Sequence, residues 1–168
     1  MRAQRRTESV TPFAQTAERH LDDVYGYLVW FTGDRFVAED LVGETFERAL
    51  RLWSRFDPAR GSARTWLCQV ARTAALDHFR SEKRRHRREE LAAPVERYEE
   101  RLVEGLSPEL EAAMRKLTAG EREVIALRVV LDFDAKAAAG MLGISQTNCT
   151  TRLNRALTKL EEALRVAA

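Results

Sequence analysis

Cysteine is almost missing from the 168 residues: Cys68 and Cys149 stand far apart with no CxxC spacing. That argues against a disulfide scaffold and against a thiolate zinc site. Proline numbers 4 and glycine 8, too few for a turn-dense β-sandwich. No apolar run approaches the roughly 18–20 residues of a membrane span. The opening Met1-Arg-Ala-Gln-Arg-Arg lacks the apolar core of a signal peptide. His20, His78 and His86 share no metal-ligand spacing. The chain shows no nucleophile–base pair, no Gly-rich phosphate loop and no clustered carboxylates. It therefore offers no catalytic residue, no metal ligand set and no cofactor site. The expectation is a soluble cytoplasmic protein without membrane insertion that performs no chemistry itself.

What the chain does contain is helix-forming. Ala, Leu, Arg and Glu dominate, 45% of residues are apolar and 32% are charged, enough apolar matter for a packed core. Leu21, Val24, Tyr25 and Leu28 recur at spacings of three and four, as do Leu41, Val42, Thr45, Phe46, Ala49, Leu50 and Trp53. Thr32-Gly33-Asp34 breaks these two helices, and Phe56-Asp57-Pro58-Ala59-Arg60-Gly61-Ser62 is a turn. A third helix runs from about Ala63 to Arg80 with Trp66, Leu67, Val70, Ala74 and Phe79 on its apolar face. Residues 81–106 are nearly all charged at first and are interrupted by Pro94, so they read as a flexible charged linker that extends the third helix before it frays. Ser107-Pro108 starts a second block as N-cap and first helical residue. Asp132 or Asp134 caps a short helix over Ala135–Leu142, and a long helix follows Gly143-Ile144-Ser145 to about Arg165. No segment reads as a strand. The fold class is all-α: two small helical domains, 13–80 and 107–165, joined by the linker 81–106.

The net charge of +2 conceals a pattern. Residues 60–88 hold nine Lys and Arg against two Asp and Glu, whereas residues 89–123 hold five against ten. A local basic stretch matters more for polyanion binding than total charge does, although an Arg-rich helix face is also compatible with plain solvation. In the second block a short helix, a Gly-containing turn and a longer helix form the pattern of a DNA-reading helix-turn-helix. With residues placed 100° apart, Asn148, Arg152, Arg155 and Lys159 share one face of the last helix. Cys149, Leu153, Ala156, Leu157, Leu160 and Leu164 share the opposite one. An ordinary amphipathic surface helix would have the same moment. The preceding helix and the Leu-Gly-Ile-Ser turn favour DNA, and Ser145 at the helix start offers backbone N–H groups to a phosphate. Trp30, Trp53 and Trp66 read as core anchors, and both cysteines as small buried apolar residues.

Two motifs stand in order: Val37-Ala-Glu-Asp-Leu-Val-Gly-Glu-Thr-Phe-Glu-Arg-Ala-Leu50 with Phe56-Asp-Pro and Thr65-Trp-Leu-Cys-Gln-Val-Ala-Arg-Thr-Ala-Ala-Leu-Asp77, and Leu117-Thr-Ala-Gly-Glu-Arg-Glu-Val-Ile125 through Met141-Leu-Gly-Ile-Ser145 and Arg152-Leu-Asn-Arg-Ala-Leu157. Together they resemble the extracytoplasmic-function (group 4) sigma factors of bacterial RNA polymerase over about residues 13–165. The resemblance implies a factor that binds core RNA polymerase, through the β′ and β subunits, and directs promoter-specific initiation on double-stranded and melted DNA. Asp40, Leu41, Glu44, Phe46 and Arg48 match the surface that docks on the β′ coiled coil. The Phe56–Ser62 turn resembles the loop that holds a flipped −10 base, and the following helix the −10 reader. That set is Asp57, Arg60, Arg64, Trp66, Arg72, Thr73 and Arg80. The −35 set is Ser145, Gln146, Asn148, Thr151, Arg152 and Arg155. A tether suits two weak readers, since it raises the effective concentration of the second.

The sequence also departs from the family. Thr73 stands where the −10 reader usually has Asn and Thr150 where a cation is usual, so the promoter preference should be unusual; Gly43, where Gln is common, weakens its helix locally. The resemblance raises an anti-sigma factor as a partner, one that would clamp the domains and hide both readers. The ending Val166-Ala167-Ala168 resembles the termini that ClpXP-type proteases recognise, which sets a degradation signal against a plain Ala-rich tail. Two rivals use less of the sequence. A polymerase-independent helix-turn-helix repressor leaves the Ala38–Leu50 match unexplained, and a nucleic-acid-processing enzyme lacks a carboxylate site.

Overall fold

The structure, a computed structural model, describes residues 2–89 and 106–167, with side chains from 13 to 89 and from 106 to 166. All regular structure among these residues is helical. Three long helices, α1 (Arg2–Thr32), α2 (Arg35–Leu52) and α3 (Ala63–Glu89), build the first block. The second contains α4 (Pro108–Arg115), α5 (Ala119–Ile125), a π-helical turn (Ala126–Val130), α6 (Ala135–Leu142) and α7 (Gln146–Ala167).

The breaks form where side-chain chemistry competes with the helix. Gly33 takes a left-handed φ of 71°, and Asp34 then caps α2 by accepting from the backbone N–H groups of Phe36 and Val37. Asp57 caps the 3-10 turn Pro58–Arg60 through Ala59 N–H at 2.9 Å. Ser107 caps α4 with Pro108 in its first turn, as the sequence predicts. Thr118 and Glu121 form a reciprocal capping box on α5. Of the two aspartates proposed for α6, Asp134 is the cap, with Ala137 N–H 2.7 Å from its carboxylate. Gly143 ends α6 at φ 67°.

Two features differ from the sequence reading and one agrees with it. The third helix passes Arg80 and continues to Glu89, the extension into the charged segment that the sequence predicts, carried by i,i+3 and i,i+4 pairs such as Arg85–Glu82 and Arg85–Glu89. The first part of the expected linker is therefore helical, and its remainder, 90–105, lies outside the described residues. The helix through Val124 and Leu127 widens into a π turn rather than running on regularly. Leu157 is 38% exposed, because the apolar arc of α7 narrows to Cys149, Ala156 and Ala163 with Leu153 and Leu160 beside them.

The two blocks share one core. Tyr27, Leu28 and Phe31 of α1, Leu67 and Ala71 of α3, and Val124, Ile125 and Leu127 of the second block belong to one buried cluster. The contact between the blocks runs mainly between α1 and the segment formed by α5 and the π turn. Cys68 and Cys149 are both free and fully buried, as expected of small apolar residues. Burial pushes the Cys68 thiol up to about 12. No helix among the described residues is long and apolar enough to cross a membrane.

Candidate nucleic-acid and polymerase interfaces

The five residues matched to polymerase docking divide by burial. Asp40 is exposed, Glu44, Phe46 and Arg48 are half-buried, and Leu41 is buried in the core. Arg48 is held from two sides, by Glu44 one turn earlier and by Asp77 of α3 at 2.9 Å. The Asp77 carboxylate sits below its ordinary range chiefly because it accepts from Arg48. Arg48 thus ties α2 to α3, while Leu41 lies in the core and Phe46 packs against it. The surface they present carries Asp40 together with two apolar side chains that the motif comparison missed, Phe36 and Leu50, which are 45% and 46% exposed. Periodicity groups Leu50 with Leu41 and Ala49, which are buried, so its exposure was not legible in the spacing.

The −10 residues also divide. A cleft of about 400 Å³ opens at the 3-10 turn and is lined by Arg55, Phe56, Asp57, Arg60, Gly61, Ser62, Thr65, Trp66 and Gln69. One wall is aromatic: Phe56 stacks on Trp53 at 5.0 Å, and Trp66 meets Trp53 and Phe56 at 5.8 and 5.3 Å. Trp53 and Trp66 are half-buried, so Trp66 anchors the core and lines the cleft at once. Gly61 at φ 156° lets the chain turn into α3. Thr73 is exposed one step along α3 and lines a smaller groove with Arg48, Leu52, Trp66, Gln69 and Val70. Arg80 is exposed and paired with Asp77.

Arg64 and Arg72 are not at this cleft. Arg64 donates to Asp23 of α1 at 2.9 Å and to the Leu131 carbonyl at 2.6 Å, with its guanidinium 4.6 Å from the Phe133 ring centroid. Arg72 donates to Glu123 at 2.7 Å. Burial alone would raise the Asp23 carboxyl, but Arg64 and His20 outweigh it and hold it low. The grouping of both arginines with Asp57 and Arg60 in one site therefore fails in this conformation: they face the second block. Sequence spacing could not show this, because their partners lie 51 and 67 residues further on.

In the second block a concavity of about 500 Å³ is lined by Asn148, Thr151, Arg152 and Arg155 of α7 and by Thr118, Gly120 and Glu121 at the start of α5. Gln146 is exposed at the first turn of α7. Ser145 is used differently from the expectation: its hydroxyl accepts from Asn148 N–H at 3.1 Å, so that donor is already satisfied. Glu121 binds Lys159 and so places an anion beside the cationic face. Val166 is 81% exposed, whereas the Ala167 side chain and Ala168, which complete the proposed degradation signal, lie outside the described residues. Among the described residues no group of His, Cys, Asp and Glu could hold a metal ion.

Comparison with known proteins accounts for both blocks. The sigma-70 region 2 family model matches residues 16–85, and the sigma-70 region 4 model matches 107–160. The chain is 33% identical over 137 residues to the ECF RNA polymerase sigma factor SigC of Mycobacterium tuberculosis, covering 80% of this chain and 73% of that one. It is 32% identical to BldN of Streptomyces coelicolor, covering 90% of this chain and 60% of the relative's length. It is 29% identical to SigM of Bacillus subtilis, covering 86% and 90%. Among solved structures, CnrH in complex with the cytosolic domain of CnrY matches with a TM-score of 0.67 at 28% identity, covering 93% of this chain and 89% of that one. The fold also matches the sigma factor RpoE in complex with the anti-sigma factor NepR from Bartonella quintana, with a TM-score of 0.80 at 22% identity, covering 94% and 99%. A free-standing repressor would use the second block alone and leaves the region 2 match without a purpose. The chain belongs to the extracytoplasmic-function sigma factors of bacterial RNA polymerase.

Proposed function

We propose that the chain docks on core RNA polymerase through the exposed face of α2 and reads a two-element promoter with the cleft at Phe56–Gln69 and the polar face of α7. The observation that carries the reading is the cleft. It combines an aromatic wall, an Asp-capped turn that fixes its mouth, and Arg55 and Arg60 at its rim. An extruded base needs stacking and edge hydrogen bonds, and the flanking phosphates need cations. Asp57, Ser62, Thr65 and Gln69 supply the polar edges, and Trp66 and Phe56 the apolar surface. The concavity on α7 has the complementary chemistry for duplex DNA: Asn148 and Arg152 for base edges, Arg155 for phosphate.

Docking rests on Asp40, with Phe36 one turn before it and Glu47 and Leu50 further along the same exposed face, a mixed acidic and apolar surface that suits a partner helix carrying Arg and Leu. The test is co-elution of the purified full-length chain with bacterial core polymerase on size exclusion, which needs no knowledge of the promoter. Co-elution of the natural chain is expected, as is its loss in Asp40→Arg with the helix content unchanged. A folded natural chain that does not co-elute, or an Asp40→Arg variant that still does, would overturn the docking assignment.

A further inference from the structure

The two arginines that left the −10 cleft identify a device that the established function does not include. Arg64, Cys68 and Arg72 lie at intervals of four along α3 and so share one face, and that face is closed by the second block. Glu123 is 3% exposed and sits at the centre of the contact. It accepts from the Tyr27 hydroxyl at 2.7 Å and from Arg72 Nε at 2.7 Å, both on the same carboxylate oxygen. Two turns earlier Arg64, paired with Asp23 of its own block, donates to the Leu131 carbonyl and lies over Phe133. The turn that presents both groups is fixed by Asp132 in the left-handed region at φ 54°, the one non-glycine residue with positive φ among those described. At the far end Arg122 reaches back from α5 to the carbonyls of Phe31 and Thr32, 3.3 Å each, where α1 runs out of intrahelical donors.

We infer that this contact is a clasp: in the free chain the second domain folds onto α3 and occupies Arg64 and Arg72 with its own carboxylate and carbonyl, in the places where nucleic-acid phosphates would otherwise stand. The inference rests on the proposed use of α3 in DNA binding. The charge pattern of the sequence supports it. The basic segment 60–88 is followed directly by the acidic segment 89–123, and the last residue of that acidic segment is the one buried against Arg72. A carboxylate delivered by the same chain competes at a high effective concentration, so it masks weak phosphate contacts. Opening breaks the bonds of Glu123 to Tyr27 and Arg72 and exposes part of the shared apolar cluster, a cost offset in part because Glu123 and both arginines regain water when they separate. Polymerase and promoter release the clasp by binding the two domains at separate places, since the second domain cannot lie on α3 while Arg72 faces DNA. This closure needs no regulator protein.

Two variants of the full-length chain test the clasp. Glu123→Arg sets a cation against Arg72. Gly26→Trp leaves every clasp residue in place and drives a wedge where a side chain on α1 would meet Val130 Cγ1, which lies 3.7 Å from the position of a Cβ at residue 26. The readouts are the radius of gyration from small-angle X-ray scattering and the affinity for a short fluorescent single strand of mixed sequence at one fixed salt concentration. Both variants should expand. Both should bind the strand about tenfold more tightly, as follows when the competent open state is about a tenth of the natural population. Arg72→Ala added to Gly26→Trp should remove most of that gain. If Glu123→Arg loses helix content, Gly26→Trp decides alone. A chain that stays at the natural radius, or one that expands without tighter binding, would overturn the clasp. Core polymerase separates the two ideas. Expansion with tighter strand binding in a chain that never co-elutes with polymerase would keep the clasp and remove the docking assignment. Normal co-elution with no change in radius or strand affinity would do the reverse.

Discussion

Arg152 and Lys159 occupy the same face of α7 but stand in different electrostatic states. Lys159 is paired with Glu121, whereas Arg152 has no ion-pair partner among the described residues and lies half-buried in the concavity beside Asn148 and Gly120. A guanidinium in that position has its donors available for a base edge, while the Lys159 ammonium is already neutralised by its neighbour. Arg152→Ala should weaken binding to the upstream promoter element by about 1–3 kcal/mol and relax discrimination at one base pair. Lys159→Ala should cost less, and equally on all sequences. Fluorescence anisotropy with single-base-substituted duplexes separates the two, and unchanged specificity in Arg152→Ala would exclude it from base reading. The positions of Asn148, Arg152, Arg155 and Lys159 were legible, because one helix with a fixed 100° step places them without reference to the rest of the chain. Thr118, Gly120 and Glu121 were not, because they reach the concavity from a different helix. Arg64 and Arg72 were legible as cations and illegible as to their partners, for the same reason.

Among the elements, α2 is the one whose sequence works partly against its structure. Gly43 lies at mid-helix, exposed, with no atom within 4 Å of where a Cβ would stand. Glycine in such a place carries a backbone-entropy cost of roughly 0.5–1 kcal/mol relative to alanine and returns nothing in packing. Gly43→Ala should therefore raise the stability of the full chain by about that amount, read as a shift in the urea midpoint at constant slope. A midpoint that stays or falls would mean that residue 43 has a constraint beyond its own helix. The start and stop signals of the elements were the most legible feature of the chain. Asp34, Ser107, Thr118 and Asp134 cap their helices, and Gly33 and Gly143 take left-handed turns, since capping depends on a residue and its immediate neighbours. The π turn at Ala126–Val130 was illegible, because Val124, Ile125 and Leu127 have the same spacing in an α or a widened helix. The wider turn is closed locally: Leu131 N–H bonds to the Ala126 carbonyl and Phe133 N–H to that of Leu127.

At the scale of the whole molecule, the sequence reading of two tethered domains and the structure of one continuous core describe different aspects of the chain. Each block has its own amphipathic helices, so periodicity shows two units. The seam between them adds to the shared apolar cluster a set of polar groups, Tyr27, Glu123, Arg72 and Arg122, that periodicity scores as surface and whose pairing spans up to 96 residues. Burial and the adjacent Glu123 carboxylate push the Tyr27 hydroxyl well above its usual value, so it remains a donor at any working pH. Arg122 bonds to carbonyls of both blocks. It is half-buried, burial lowers it from its ordinary value, and it bonds the Leu117 carbonyl at 2.7 Å within its own block while reaching Phe31 and Thr32 in the other. Deleting it leaves two helix-terminal carbonyls without a donor in a partly closed site, at a cost of about 1–3 kcal/mol. If the seam couples the blocks, the natural chain unfolds as one unit, with calorimetric and van't Hoff enthalpies equal. Arg122→Ala should then divide that transition into two of lower cooperativity while far-UV ellipticity at low temperature is retained. A single transition displaced to lower temperature would show instead that Arg122 stabilises only its own block, and that the shared apolar core couples the domains without it.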